Sequence, residues 1–213
     1  MKDSKLKQRR RELVECAISC FCEQGIETTA IADIAAASGF GEATLYRYFS
    51  NKENLIMECG FTFWRMASER YEALTESEAY RLKSGINQLE DLLLLTQDMF
   101  EIQRGMFKFL HDLDVYLAAH HVNSEILAEY EELVNRAKPC LCEAIEKGKE
   151  DGTIKCRVNT EEIYYTLTHT VLSLLQKMAG IGKLLSGDHV VEEKRQIQLL
   201  WKLLLTGLQY ETV

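Results

Sequence analysis

The stretch TAIADIAAASGFGEATLYRYFSNKENL, residues 29–55, decides how this chain is read. Ile31, Ile34 and Ala35 fall on one side of a short helix, at the spacing that turns a helical face inward. Ala35 is small where two helices would cross closely. Gly39 follows, and glycine adopts the positive backbone angle of a tight turn at least cost. A second short helix is expected over about 41–48, with Phe40 and Leu45 filling the angle between the two. Glu42, Ala43, Thr44, Tyr46 and Arg47 then stay outward, with Tyr48 near the end. A helix this short, bearing hydroxyls and a guanidinium, suits a major groove with its first turns at base edges.

Upstream, Leu6, Leu13, Ala17, Cys20 and Phe21 share a helical face over 5–24, and Gly25 is the expected stop. Downstream, Ser50 or Asn51 caps a long helix, with Glu53 close behind. Helices are expected over 85–103, 104–121 and 124–152, the last with a kink before Pro139. Another starts at an Asn159/Thr160 cap with Glu161 and Glu162 in its first turn, and 190–210 closes the series. There is one proline in 213 residues, and no strand-like alternation, repeat or low-complexity linker. The expected fold class is all-α.

The formal charge of −8 would be strange for a nucleic-acid binder if it were evenly spread. Residues 1–55 hold eight Lys/Arg and eight Asp/Glu, so the remaining 17 and 25 carry the whole deficit. Lys2, Lys5, Lys7, Arg9, Arg10 and Arg11 crowd the N-terminus, as a solvated tail or as a basic arm. Seven cysteines and no secretory leader fit reduced thiols in a cytoplasm. The apolar runs near the C-terminus contain His169, Gln176, Lys177 and Lys202, so no membrane span is expected.

The last two helices are apolar nearly all round, and such helices must be covered on every side. Leu167, Val171, Leu174, Leu175 and Met178 line one, and Ile197, Leu200, Trp201, Leu204 and Leu208 the other. These ten residues are the candidate dimer interface, two helices from each subunit.

AISCFCEQGIETTAIADIAAASGFGEATLYRYFSNKENL, residues 17–55, resembles the signature of TetR-family transcription regulators. The match runs through Phe21, Gly25, Thr29, Gly39, Thr44, Leu45, Tyr46, Tyr48, Phe49, Lys52 and Leu55. It covers about a fifth of the chain, and EDGTIKCRVNTEEI (150–163) resembles the family's entry into its penultimate helix. The resemblance implies a helix-turn-helix DNA-binding domain over 1–50 and an effector-binding and dimerisation domain over 51–213, with 51–75 as connecting helix. It implies a homodimeric repressor released from its operator by a small molecule. Thr44, Tyr46, Tyr48 and Lys52 would contact phosphates, and Thr29 would add a contact at the start of the second helix. Arg47 would read a base edge, its fork matching guanine. For Tyr46, Tyr48 and Phe49, plain core packing is the competing reading.

Three positions depart from the family pattern. Gly41 replaces a common Ser as N-cap, at a cost of only a few tenths of a kcal/mol. Ala30 gives up a hydroxyl, and Glu42 sets an acid at the start of the recognition helix, where it favours the dipole and repels phosphate. The middle helices offer Trp64, Met99, Phe100, Phe107, Tyr116 and Tyr165 as candidate lining of an effector site, or as core. With few charges expected inward, an apolar or aromatic effector is preferred. Cys16 and Cys20, four apart, share a face but a packed one; neither they nor His120 and His121 are assigned a metal. No Gly-rich phosphate loop, nucleophile elbow or zinc-ligand spacing points to an enzyme or a cofactor. A DNA-binding factor of this fold without a small ligand is the alternative.

Overall fold

The computed structural model describes residues 2–211, with side chains from Lys5 onward. Lys2 of the basic run therefore has its side chain outside the described residues. The order is α1 (Lys2–Gln24), α2 (Ile31–Ser38), α3 (Glu42–Phe49), α4 (Lys52–Glu76), α5 (Glu78–Arg81), α6 (Gly85–Ile102), α7 (Arg104–Ala119), α8 (Ser124–Asn135), α9 (Lys138–Glu150), α10 (Thr160–Gly180) and α11 (Glu193–Leu208). A 3₁₀ turn at Ser186–His189 joins the last two. No strand occurs among the described residues.

Local chemistry explains most boundaries. Gly25 ends α1 at φ 88°, and Gly39 ends α2 in the left-handed region at φ 71°. Asn51 caps α4, its side-chain oxygen accepting from the Asn54 N–H at 2.7 Å. Asn159 does the same for α10 through the Glu161 N–H at 2.8 Å. The expected single helix over 124–152 is two helices. Pro139 lies in the first turn of α9, where its missing N–H leaves no bond unmade.

The chain forms two compact units. The first comprises residues 1–65 and 104–134. Its core holds Leu13, Ala17, Phe21, Ile34, Leu45, Leu55, Phe63 and Phe107, all buried. Phe21 of α1 stacks on Phe109 of α7 with centroids 6.0 Å apart, and Phe63 meets Phe107 edge to face at 5.5 Å. Such pairs add about 0.5–1.5 kcal/mol each beyond area burial. The basic run belongs to helix α1, and Leu6 within it is exposed.

The second unit comprises residues 66–103 and 135–213. Helix α6 packs on α9 and α11, and α10 on α9. The tightest crossing is Gly85 against Gly148: a Cβ on Gly85 would lie 2.0 Å from the Gly148 nitrogen. The Trp201 indole donates to the Gln97 amide oxygen Oε1 at 3.1 Å, and the Tyr71 and Thr96 hydroxyls bond at 2.5 Å. Burial pushes the Tyr71 phenol up to about 12.

The proposed interface stripe needs correction. Leu167, Val171, Leu175, Met178, Ile197, Trp201 and Leu208 are buried within the protomer itself, and Leu174, Leu200 and Leu204 are half-buried. The strongest apolar periodicity marks the face each helix turns to its own core. The opposite face of α11 carries Leu199 and Leu203, the latter 71% exposed, while α10 turns out Tyr165, His169 and Ser173.

Candidate nucleic-acid interface

Helix α3 is presented by a frame that the sequence builds at each joint. The Asp33 carboxylate accepts from the Ala30 N–H at 2.7 Å, closing the first turn of α2 without the hydroxyl that Ala30 lacks. The Thr44 N–H bonds the Gly41 carbonyl at 2.8 Å, so Gly41 serves as N-cap with extended backbone (φ −73°, ψ 150°). Leu45 and Phe49 are buried and anchor the inner face. At the far end Ser50 takes φ 64°, ψ −44°, and the Asn51 N–H bonds the Phe49 carbonyl at 2.7 Å. This is a γ-turn of the strained hand, here at a residue with a side chain.

The outward face comprises Gly41, Glu42, Ala43, Tyr46 and Arg47, all exposed, with Tyr46 at 48%. Thr44 is half-buried between them. Arg47 lies over the Tyr48 ring, 5.5 Å from its centroid, which steadies a long side chain on the exposed face. Tyr48 is half-buried, and its hydroxyl is buried without a protein hydrogen-bond partner. It lines a cleft of about 430 Å³ with Arg10, Phe49, Glu58 and Arg65.

Thr29 also departs from expectation. It is fully buried, and its hydroxyl donates to the Gly25 carbonyl at 2.7 Å. The hydroxyl locks the α1–α2 turn and does not face a phosphate. The Lys52 ammonium donates to the Glu27 carbonyl at 3.3 Å, and burial lowers its pKa despite the opposing pull of Glu27. Lys52 is only half-buried, at the start of α4. Of the basic run, Lys5, Lys7, Arg9 and Arg11 are exposed, whereas Arg10 makes two 2.8 Å bonds to Glu58. No signal in the sequence distinguished Arg10 from its neighbours; the partner lies 48 residues away.

The candidate effector residues divide between the units. Trp64, Phe107 and Tyr116 belong to the first, where the Trp64 indole donates to the Tyr130 hydroxyl at 3.0 Å and Tyr116 stacks on His120 at 4.3 Å. Met99 and Phe100 are buried in the second. Tyr165 is 39% exposed and carries the Lys138 ammonium 4.9 Å from its ring centroid, so it stands on the surface. A cleft of about 420 Å³ in the second unit is lined by Ile86, Leu94, Trp201 and Leu205, none of which the sequence singled out as ligand-lining.

No cysteine among the described residues is in a disulfide. Burial raises the Cys20, Cys140 and Cys142 thiols and takes Cys22 to about 11. A raised pKa keeps these thiols protonated at neutral pH, which lowers their thiolate fraction. No group of three or more His, Cys, Asp or Glu side chains among the described residues is placed to hold a metal ion. None of the described helices is long and apolar enough to cross a membrane.

Comparison with known proteins bears on this geometry. Residues 13–59 match the model of bacterial regulatory proteins, tetR family. The HTH-type transcriptional repressor KstR2 of Mycobacterium tuberculosis is 26% identical over 164 residues, 76% of this chain and 77% of that one. The fatty acid degradation regulator FadR from Bacillus halodurans superposes with a TM-score of 0.72 at 17% identity, over 95% of this chain and 97% of that one. FadR from Bacillus subtilis, in complex with stearoyl-CoA, gives 0.64 at 18% identity over 92% and 98%. With α2 and α3 framed as a helix-turn-helix, residues 13–59 match the tetR family of bacterial regulatory proteins, and the chain is similar to transcriptional repressors over 76% of its length.

Proposed function

We propose that the protein is a homodimeric repressor that leaves its operator when a small molecule with a long apolar chain binds. Residues 1–50 read DNA, and 51–213 bind the effector and dimerise, with 51–75 as the connecting helix. The observation that carries the reading is the outward face of α3: Glu42, Tyr46 and Arg47 are exposed on a helix fixed at both ends and along its inner side. Arg47 reads a base edge, and Thr44 and Tyr46 bond phosphates. Two copies would present their recognition helices about 34–36 Å apart, one turn of DNA. The outward faces of α10 and α11, with Leu199 and Leu203, form the subunit contact. An effector that prefers a conformer of mismatched spacing shifts the population off DNA. The likeness to a regulator that binds stearoyl-CoA supports an acyl thioester as effector.

The test is a gel shift with DNA flanking the protein's own coding region, at two salt concentrations, with and without stearoyl-CoA. A specific, salt-sensitive shift that the thioester reverses supports the whole reading. A shift that no acyl thioester alters removes the effector class. No shift on that DNA or on a randomised pool refutes the repressor.

A further inference from the structure

Glu58 of α4 is an acid in the packed side of a DNA-binding unit, only 7% exposed. Its carboxylate accepts from both terminal nitrogens of Arg10 at 2.8 Å and from Arg65 Nη1 at 3.3 Å. The two-point bond fixes the plane of the Arg10 guanidinium as well as its position. That guanidinium lies over the ring of Phe49, 5.4 Å from its centroid. Arg65 lies in turn over Phe61, at 5.8 Å. One carboxylate therefore ties α1 and α4 to the last residue of the recognition helix.

A cluster whose carboxylate is buried while Arg10 and Arg65 stay 44% and 39% exposed contributes little net stability, because solvent screens the cations and burying the acid costs desolvation. What it supplies is a defined geometry, and the neighbouring backbone needs one. Ser50, next to Phe49, holds φ 64°, ψ −44°, and such a turn persists only where its surroundings over-determine it. We propose that Glu58 is a positioning residue for DNA readout: through Arg10 it clamps Phe49, holds the strained turn at Ser50, and so fixes the angle at which α3 meets the groove. The clamp rests on the DNA-reading role assigned to α3, and touches no base itself.

The test uses the full-length chain with Glu58→Gln, which keeps the shape and removes the charge, and the double variant Glu58→Gln with Ser50→Gly. Affinity is measured for an operator selected from a randomised pool and for random DNA, with amide hydrogen exchange of the DNA-free protein alongside. Glu58→Gln is expected to weaken operator binding about tenfold while random DNA is bound as before, because phosphate contacts are insensitive to small changes in helix angle. Exchange across 42–51 should quicken about tenfold, and that of α6 and α9 should not change. Glycine holds φ 64° without strain, so Ser50→Gly should restore most of the lost discrimination. Equal losses on operator and random DNA, unchanged exchange over 42–51, or no rescue by glycine would each overturn the proposal. A wild-type chain that binds no DNA would refute the repressor reading instead, and the exchange result would still judge the clamp.

Discussion

Replacing Gly85 by alanine should be far more costly than replacing Gly148, although the two face each other across the α6–α9 crossing. A Cβ at 85 would lie 2.0 Å from the Gly148 nitrogen, 2.3 Å from its Cα and 2.6 Å from the Ala144 carbonyl oxygen. Ordinary contacts between such atoms are about 3.5–4.0 Å, so the two backbones would have to part by roughly 1.5 Å. No rotamer change relieves a backbone obstacle. Overpacking of this kind costs about 1–3 kcal/mol, and here about 3 kcal/mol is expected. For a chain of this size that is a fall of about 6–12 °C in Tm. A Cβ at 148 meets the buried Ile154 side chain instead, its Cδ1 and Cγ1 at 2.6 Å and its Cβ at 3.2 Å, so a side chain and not a helix backbone has to give. Alanine also recovers about 0.5–1 kcal/mol in a helix interior, so Gly148→Ala should shift Tm by only about 2–4 °C. Far-UV circular dichroism melts of both variants at one protein concentration decide it. A Gly85→Ala chain that melts within 2 °C or so of the wild type, or above Gly148→Ala, would refute backbone contact at this crossing.

Arg47→Ala should cost about 1–3 kcal/mol on the operator and relax specificity, whereas Lys52→Ala should weaken all sequences alike and lower the salt slope by about one per subunit. Fluorescence anisotropy on operator and random DNA separates them, and equal losses for Arg47→Ala would remove its base-reading role. Leu203→Glu should raise the dimer dissociation constant at least about tenfold with Tm of the isolated protomer unchanged, as read by sedimentation; an unchanged constant would place the contact elsewhere. Asp151 accepts from the Thr153 hydroxyl and from the Gly85 N–H at 2.8 Å, bonds that hold its carboxyl below the usual range. Its contribution is complete above its unfolded value near pH 4 and is lost as pH falls through the lower folded value. Asp151→Asn should therefore be less stable at pH 7, with the gap to the wild type narrowing as pH falls through the acid limb of urea titrations; a constant gap across that limb would refute the linkage.

The helix-turn-helix was legible because its rules are local. Inward Ile31, Ile34 and Ala35, the turn at Gly39 and the Gly41 start are all settled within a few residues. The same holds for the Asn51 and Asn159 caps. What failed depended on partners far along the chain. Thr29 looked available until the α1–α2 turn took its hydroxyl, and Tyr48 until its ring found the cleft beside Arg10 and Glu58. The last two helices are apolar on more than one face, and the exposed Leu203 lies opposite the buried stripe of α11. Yet the deeper stripe belongs to the protomer core, because periodicity gives the strength of a face and not the identity of what covers it.

The packing of α1 on α7 has a consequence for how the protein is made. Phe21 finds Phe109 only after 88 further residues have been added, and the second unit's helix α6 is synthesised in between. A ribosome that has finished α3 has not finished its support. The unit is thus completed late in translation, after residues 104–134 emerge, and a chain aborted before them carries α3 on an incomplete core.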